Sequence, residues 1–482
     1  MRLVSGAFIA LVAGALLAAC GGSSDDNNDG GTAPPPAASP TRGTLTTTPP
    51  TLLKSYGTAD LLLILGGSDA GQALLDLALA PKCGVDAYQI QYNTVGAKGE
   101  SATASGALMV PTGTDAACQG PRPIVVYDHG TSPSRAYNIA DLTNDNNTEG
   151  VAVATVFAAQ GYIVVAPNYA GYDTSSLSYH PYLNADQQSK DTIDAISAAR
   201  SALPTSSAPT ITDNGKLFLT GYSQGGYVAM ATHRALQAAG VTVTASAPLS
   251  GPYALTAFGD AIFRGDVSAS APLNLVLLIS SYQQSNFGIY SATTDVFEAP
   301  YATGIDKLLP STTAVGDLEA AGKIPSNSAF SLTPPAPEYA ALTPSATPPE
   351  FAALYARGFG TDNLITNAYR LSYLRDTDTA PDGGFPTVTD GLPPANPSNA
   401  LRRALKLNDL RSWTPNVPVL LCGGNNDPTV FFLNTQLMQN YWTSHVPAGA
   451  VTVLDVDSAV ASDDPYAGLK TGFAAAKDAV RV

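Results

Sequence analysis

The chain has 482 residues, of which 45% are apolar, and a formal net charge of −15. That length fits one large domain with insertions or two domains, and the apolar share supports a sizeable core. No basic stripe offsets the acidity, which argues against a nucleic-acid partner and against charge-driven binding to anionic membrane surfaces.

Arg2 supplies a positive charge, and Ala7 to Ala19 is an apolar run. The run is too short for a spanning helix and has the form of a signal peptide over residues 1–19. It ends in Leu17-Ala18-Ala19-Cys20-Gly21, which resembles a bacterial lipobox. That resemblance implies acylation of Cys20, which becomes the first residue of the mature chain. Gly21 at the following position implies the outer membrane rather than retention in the inner one.

Residues 20–50 are rich in Gly, Ser, Asn, Asp and Pro and bury too little apolar surface to fold, so they read as a flexible tether. A helical pattern starts at Leu52. Tyr88 to Pro111 reads as a hairpin, with Tyr88, Ile90 and Tyr92 alternating on one side. Strands then alternate with helices: strand Pro123 to Tyr127, helix Val151 to Gln160, strand Tyr162 to Ala166, helix Asp186 to Leu203. Strand Lys216 to Thr220, a helix from about Gln224 to Ala239 and strand Thr242 to Ala247 continue the series. Such alternation predicts an α/β chain with a doubly wound, mostly parallel sheet.

The alternation stops over residues 251–415, which are rich in Ser, Pro, Ala and Tyr. It resumes with strand Val417 to Leu421, a helix to about Ser444, and strand Ala450 to Val456. We expect a helical cap at 251–415 inserted between two late strands of one core, residues 51–250 and 416–482. An independent second domain is the alternative. Among the remaining cysteines, Cys83 and Cys118 lie 35 residues apart. In an oxidising compartment this separation permits a bridge without requiring one. Cys422 falls in an apolar strand pattern and reads as a buried free thiol.

Three motifs carry chemistry. Gly221-Tyr222-Ser223-Gln224-Gly225 stands between a strand pattern and an apolar helix pattern, whereas Gly66-Gly67-Ser68-Asp69-Ala70 has no closing glycine. A strand–Ser–helix order holds the serine on a sharp turn with its hydroxyl exposed, and the helix N-terminus favours a developing oxyanion. Tyr127-Asp128-His129-Gly130-Thr131 follows a buried strand. Gly424-Asn425-Asn426-Asp427-Pro428-Thr429-Val430 follows another, where ordinary turn chemistry is the plainer reading.

From about Ala80 to Val456, minus most of the cap, the chain resembles secreted bacterial lipases and esterases of the α/β-hydrolase superfamily. More distantly, it is similar to secretory lipases with a Gly-Tyr-Ser-Gln-Gly-Gly elbow. The resemblance implies an α/β-hydrolase fold and cleavage of carboxylic esters or lipids through an acyl-enzyme, with no metal and no cofactor. It implies Ser223 as nucleophile and the Thr131 and Gln224 N–H groups as oxyanion donors, with Gly130 in the loop. It also implies Asp427 as the acid that orients a histidine.

That histidine is the difficulty. The family places it just after the last strand, and Asp457 to Val482 contains none of the four histidines. His129 precedes the serine, in the oxyanion turn. His233 is ten residues along the helix, about 15 Å of rise. His180 lies in a strand–helix loop near the entrance but in the wrong chain order. His445 alone follows Asp427 and is the candidate base, although it falls at the amino ends of the strands. A tail shortened relative to its relatives is the explanation that the sequence suggests.

The expected activity is an exported serine hydrolase acting on esters. No Arg or Lys stands near the motifs to favour a phosphate or a peptide carboxylate. A large cap fits an acyl pocket closed from water. The alternatives are a catalytically impaired lipoprotein that acts by binding, and an exported peptidase on the same fold.

Overall fold

A computed structural model of the chain describes residues 41–67, 72, 75, 80–144, 147–206, 210–447 and 449–480. The expected signal peptide, Cys20 and the first part of the expected tether lie outside the described residues.

Nine strands form one sheet: β1 (Thr51–Tyr56), β2 (Gly84–Val95), β3 (Ser101–Thr112), β4 (Pro121–Asp128), β5 (Ile163–Pro167), β6 (Thr212–Tyr222), β7 (Ala245–Leu249), β8 (Val419–Gly423) and β9 (Val451–Asp455). Their spatial order is β1-β2-β3-β5-β4-β6-β7-β8-β9. The first three strands and the β3–β5 pair are antiparallel, and every pair from β5 to β9 is parallel. This is the α/β-hydrolase architecture.

Strands in the middle of such a sheet are covered on both faces and so read as continuous apolar runs. Residues Ile163 to Pro167 are all buried. Ile124, Val126, Ile163, Val165, Leu217 and Leu219 point to one face. There they meet Ala195, Ala198, Ala199 and Ala202 of α3 (Ala185–Ala202) and Ala229 and Leu236 of α4 (Gln224–Ala238). Small residues on α3 let it lie close to the sheet. Val164 and Ala166 turn to the opposite face, against Val153 and Ala154 of α2 (Thr148–Val156).

Two expectations near the start need correction. The pattern from Leu52 is not all helix: Thr51–Tyr56 is an edge strand antiparallel to β2, and α1 begins only at Thr58–Gly66. Thr, Leu and Tyr suit a pleated edge, and Gly57 breaks the run. The last residues assigned to the tether are not free either. The Gly43 and Thr46 N–H groups bond the carbonyls of Asn93 and Gln91, both at 2.8 Å, and Arg42 reaches Asp194 at 2.9 Å. The open edge of β2 takes up this segment because its backbone groups need partners. Cys83 and Cys118 are joined, with their Cα atoms 5.6 Å apart, tying the start of β2 to the turn after β3.

Between β7 and β8 lie α5 (Leu255–Phe263), α6 (Ala271–Gln284), α7 (Asn367–Thr379) and α8 (Ala400–Asn408), with long irregular connections. Two buried arginines lock this layer. Arg402 bonds Asp260 at 2.8 Å and Asp376 at 2.7 Å; Arg411 bonds Asp382 at 2.6 Å and Asp409 at 2.9 Å. After β8, α9 (Leu433–Thr443) leads to β9, and α10 (Ala467–Val480) follows.

Candidate active site

The chain turns from β4 to β5 on one side and later places β6 on the other, so the carboxyl ends of β4 and β6 mark the point where the winding reverses. Open α/β sheets bind ligands at that point. Ser223 sits there, between the end of β6 and the first residue of α4. Its backbone is at φ 56° and ψ −120°, a conformation a non-glycine residue rarely adopts. The turn is held from both sides. Ser223 N–H donates to the Leu249 carbonyl at 3.0 Å, and its own carbonyl accepts from Tyr227 N–H at 3.2 Å. A Cβ on Gly221 or on Gly225 would run into the carbonyl oxygen of Asp128, so both glycines are demanded by how closely β4, β6 and α4 approach.

Ser223 is half-buried and opens on a cavity of about 330 Å³. Gly130, Thr131 and Gln224 line the same cavity. Gln224 is the first helical residue, so its N–H has no acceptor within α4. The Thr131 N–H bonds no other described residue, and the Thr131 hydroxyl lies 2.9 Å from that of Tyr182. Leu255, Phe258 and Ile262 of α5, Leu278 of α6, and Leu401 and Leu405 of α8 form the apolar walls. The arrangement can hold an apolar chain beside a strained serine with two N–H donors near it. A strained serine and unpartnered N–H groups beside it are two of the parts that acyl transfer uses.

Asp427 lies beside this cavity, which Thr429 and Val430 line. Its Oδ1 accepts the N–H groups of Thr429 at 2.9 Å and Val430 at 3.0 Å. Burial raises the Asp427 pKa; the two N–H groups pull it down and the neighbouring Asp457 pushes it up again. Behind it, Asp457 follows β9, accepts the Asn426 N–H at 3.0 Å and pairs with Lys477 at 2.6 Å.

No histidine lines the cavity. His445 corrects the expectation made for it. It stands exposed beyond α9, before β9 begins, with Nδ1 bonded to the Tyr441 carbonyl at 2.6 Å and its ring stacked on Tyr441. That is the amino end of the sheet, opposite Ser223. His180 is not at an entrance but sealed at 2% exposure. Its Nδ1–H donates to the Ala170 carbonyl at 2.9 Å, and its Nε2 accepts from the Gln224 side-chain amide at 2.7 Å. Burial pushes its pKa down to about 3, so it braces Gln224 as a neutral ring. His129 is buried between the rings of Tyr137 and Tyr169, and His233 bonds the Ser246 hydroxyl at 2.9 Å. Burial raises the pKa of the Cys422 thiol to about 11, in keeping with an inert residue.

Two cavity residues escaped sequence reasoning. Tyr182 carries no motif. Glu149 follows the N-cap Asn147 in the first turn of α2, where an acid is ordinary helix chemistry.

The Prolyl oligopeptidase family matches residues 150–248, the stretch holding the serine elbow. No curated protein sequence matches the chain. Among solved structures, the rice cell wall degrading esterase LipA from Xanthomonas oryzae is 28% identical, with a TM-score of 0.67. The match covers 91% of this chain and 97% of LipA. A provisionally assigned hydrolase of Legionella pneumophila shares the fold at 20% identity and a TM-score of 0.63, over 89% of this chain and 96% of its own. Strand order and these likenesses show the α/β-hydrolase fold, and the prolyl oligopeptidase and LipA matches support a serine hydrolase.

Proposed function

We propose that the chain cleaves carboxylic esters with an apolar acyl group. Ser223 Oγ attacks the ester carbonyl as its proton passes to solvent water, the Thr131 and Gln224 N–H groups hold the oxyanion, and the alkoxide takes a proton from water as it leaves, giving an acyl-serine that water hydrolyses. The observation that carries this reading is the strained Ser223 opening on a mostly apolar cavity that those two donors' residues also line. Likeness to an esterase over 91% of the chain supports it. Asp427 occupies the acid's place in a triad. With no imidazole beside Ser223, the acyl-serine route runs far below the rate of a complete triad, above a floor of roughly 10³–10⁴-fold over water that the oxyanion hole and binding supply.

Hydrolysis of p-nitrophenyl butyrate by the purified chain, beside Ser223→Ala, is the test. Slow wild-type turnover is expected, faster than that of Ser223→Ala, which keeps only what the oxyanion hole and binding supply. Added imidazole should raise the wild-type rate over the Ser223→Ala background, because the base comes from solution. Equal rates for the two folded proteins would sink the ester reading. Two other readings have an observation each. The prolyl oligopeptidase match favours a peptidase, which faster cleavage of a matched anilide than of the ester would establish. The site without imidazole favours a lipoprotein acting by binding, which tight binding of an apolar ester without turnover would establish.

We also propose export, with residues 1–19 removed, Cys20 acylated and the chain held at the outer membrane. Incorporation of labelled palmitate that Cys20→Ser abolishes is expected; undiminished labelling of that variant would refute it.

A further inference from the structure

The walls of the cavity beside Ser223 are mostly apolar, with hydroxyl and amide side chains such as Ser268, Asn274 and Thr429 among them. Among the described residues that line it, Glu149 alone bears a charge. Its carboxylate is fixed: Oε1 accepts the Tyr127 hydroxyl at 2.7 Å and the Gly130 N–H at 3.0 Å. Among the described residues, Oε2 meets just the Tyr137 hydroxyl, in a long contact of 3.4 Å, which leaves that oxygen with capacity for another donor or a cation. Glu149 is half-buried, so it is reachable from solvent and still screened less than a surface acid.

Aromatic rings surround the carboxylate. Tyr127 and Tyr137 bond it directly, and Tyr222 lines the same cavity at 49% exposure. A point one Cβ bond from Gly130 lies 3.6 Å from Tyr222 Cδ1 and 3.8 Å from Glu149 Oε1, so ring and carboxylate share one corner. Tyr222 also feels Asp427 from its other side, and both acids raise its pKa beyond what burial does. Among the described residues, no lysine or arginine lines the cavity. The Tyr127 and Tyr137 hydroxyls are spent on the carboxylate, and Tyr222 is the ring beside it that lines the cavity; an acid next to an aromatic ring is the chemistry that selects an ammonium, above all a quaternary one.

From this geometry we infer that Glu149, with Tyr222, makes the site selective for substrates carrying a cationic group beside the scissile ester and an apolar chain in the cavity. The inference rests on the ester reading for turnover but not for binding. Anionic head groups are turned away by the same carboxylate.

Two measurements on the full chain test it. In the first, octyltrimethylammonium, 1-octanol and octyl sulfate are titrated calorimetrically below their aggregation limits. The ammonium should bind roughly three- to tenfold tighter than the alcohol, the sulfate more weakly than both, and added salt should shrink the difference. In the second, kcat/KM for butyrylcholine is compared with that for its uncharged 3,3-dimethylbutyl isostere. The same preference is expected, and Glu149→Gln should erase it, read as the ratio of the two kcat/KM values within the variant so that a common change in both cancels. If the wild type does not rank ammonium above sulfate, the inference falls without any variant having to fold. It also falls if folded Glu149→Gln keeps the preference. Glu149-dependent binding without any turnover overturns the ester reading and leaves this one standing; Ser223-dependent turnover blind to charge does the reverse.

Discussion

The two ends of the site's sheet edge are built differently. At the ends of β4 and β6 the main chain does the work. Two glycines let a helix and two strands meet around the Asp128 carbonyl, and the serine and its N–H donors follow from the backbone path. At the ends of β8 and β9 the work falls to side chains. There Asp427 is held by two N–H groups, while the place after β9 carries an Asp457–Lys477 pair where a triad would need an imidazole. A geometry written into the backbone is hard to lose piecemeal. One that depends on a single side chain is lost with that residue.

The comparison breaks most visibly at Gly225. Gly225→Ala forces a methyl into the Asp128 carbonyl, and we expect a loss of about 3 kcal/mol or more, or no folded protein, in urea unfolding. A loss under about 1 kcal/mol would mean that the close approach is not what fixes the elbow.

A smaller effect should come from the acids buried beneath the elbow. Asp191 accepts the Ala170 N–H at 2.5 Å and the Tyr92 hydroxyl at 3.0 Å, yet burial raises its pKa to about 7. The folded chain then holds a proton that the unfolded chain releases above about 4. Its stabilising contribution is full below that pH and lost as pH rises towards and through 7. The Tm should therefore fall between pH 5 and 8, and Asp191→Asn should flatten that slope. An unchanged slope in the variant would locate the titration elsewhere.

The smallest effect is expected at Asp427. In a complete triad, replacing the acid by Asn costs about 10⁴-fold because the histidine loses its tautomer. Here no imidazole waits for orientation, so Asp427→Asn should change the Ser223-dependent rate by less than about threefold. A loss of a hundredfold would show that a base reaches Ser223 after all.

Much of the first half of the site was legible in the sequence. A strand pattern, a Gly-x-Ser-x-Gly run and a helix pattern are contiguous in the chain, so the pattern places Ser223 on a turn before a helix, and the resemblance supplies the roles of Gln224 and Thr131. Thr131 follows from the turn after β4. The cysteine spacing permitted the Cys83–Cys118 bridge but did not require it. Residues such as Glu149 stayed hidden because an acid after a helix cap is ordinary chemistry. It reaches Gly130 only because α2 starts beside the β4 turn. Gly43 and Thr46 looked like tether because their partners lie nearly fifty residues away on β2.

Local pattern thus determined the elements, the elbow and the fold class, since hydrophobic period and glycine placement act between near neighbours. Only the tertiary structure decided that His445 faces the wrong end of the sheet, that His180 is a buried brace, and that one carboxylate stands in an apolar cavity. Those outcomes depend on which distant segments pack together and on how completely they exclude water, and neither is written at short range along the chain.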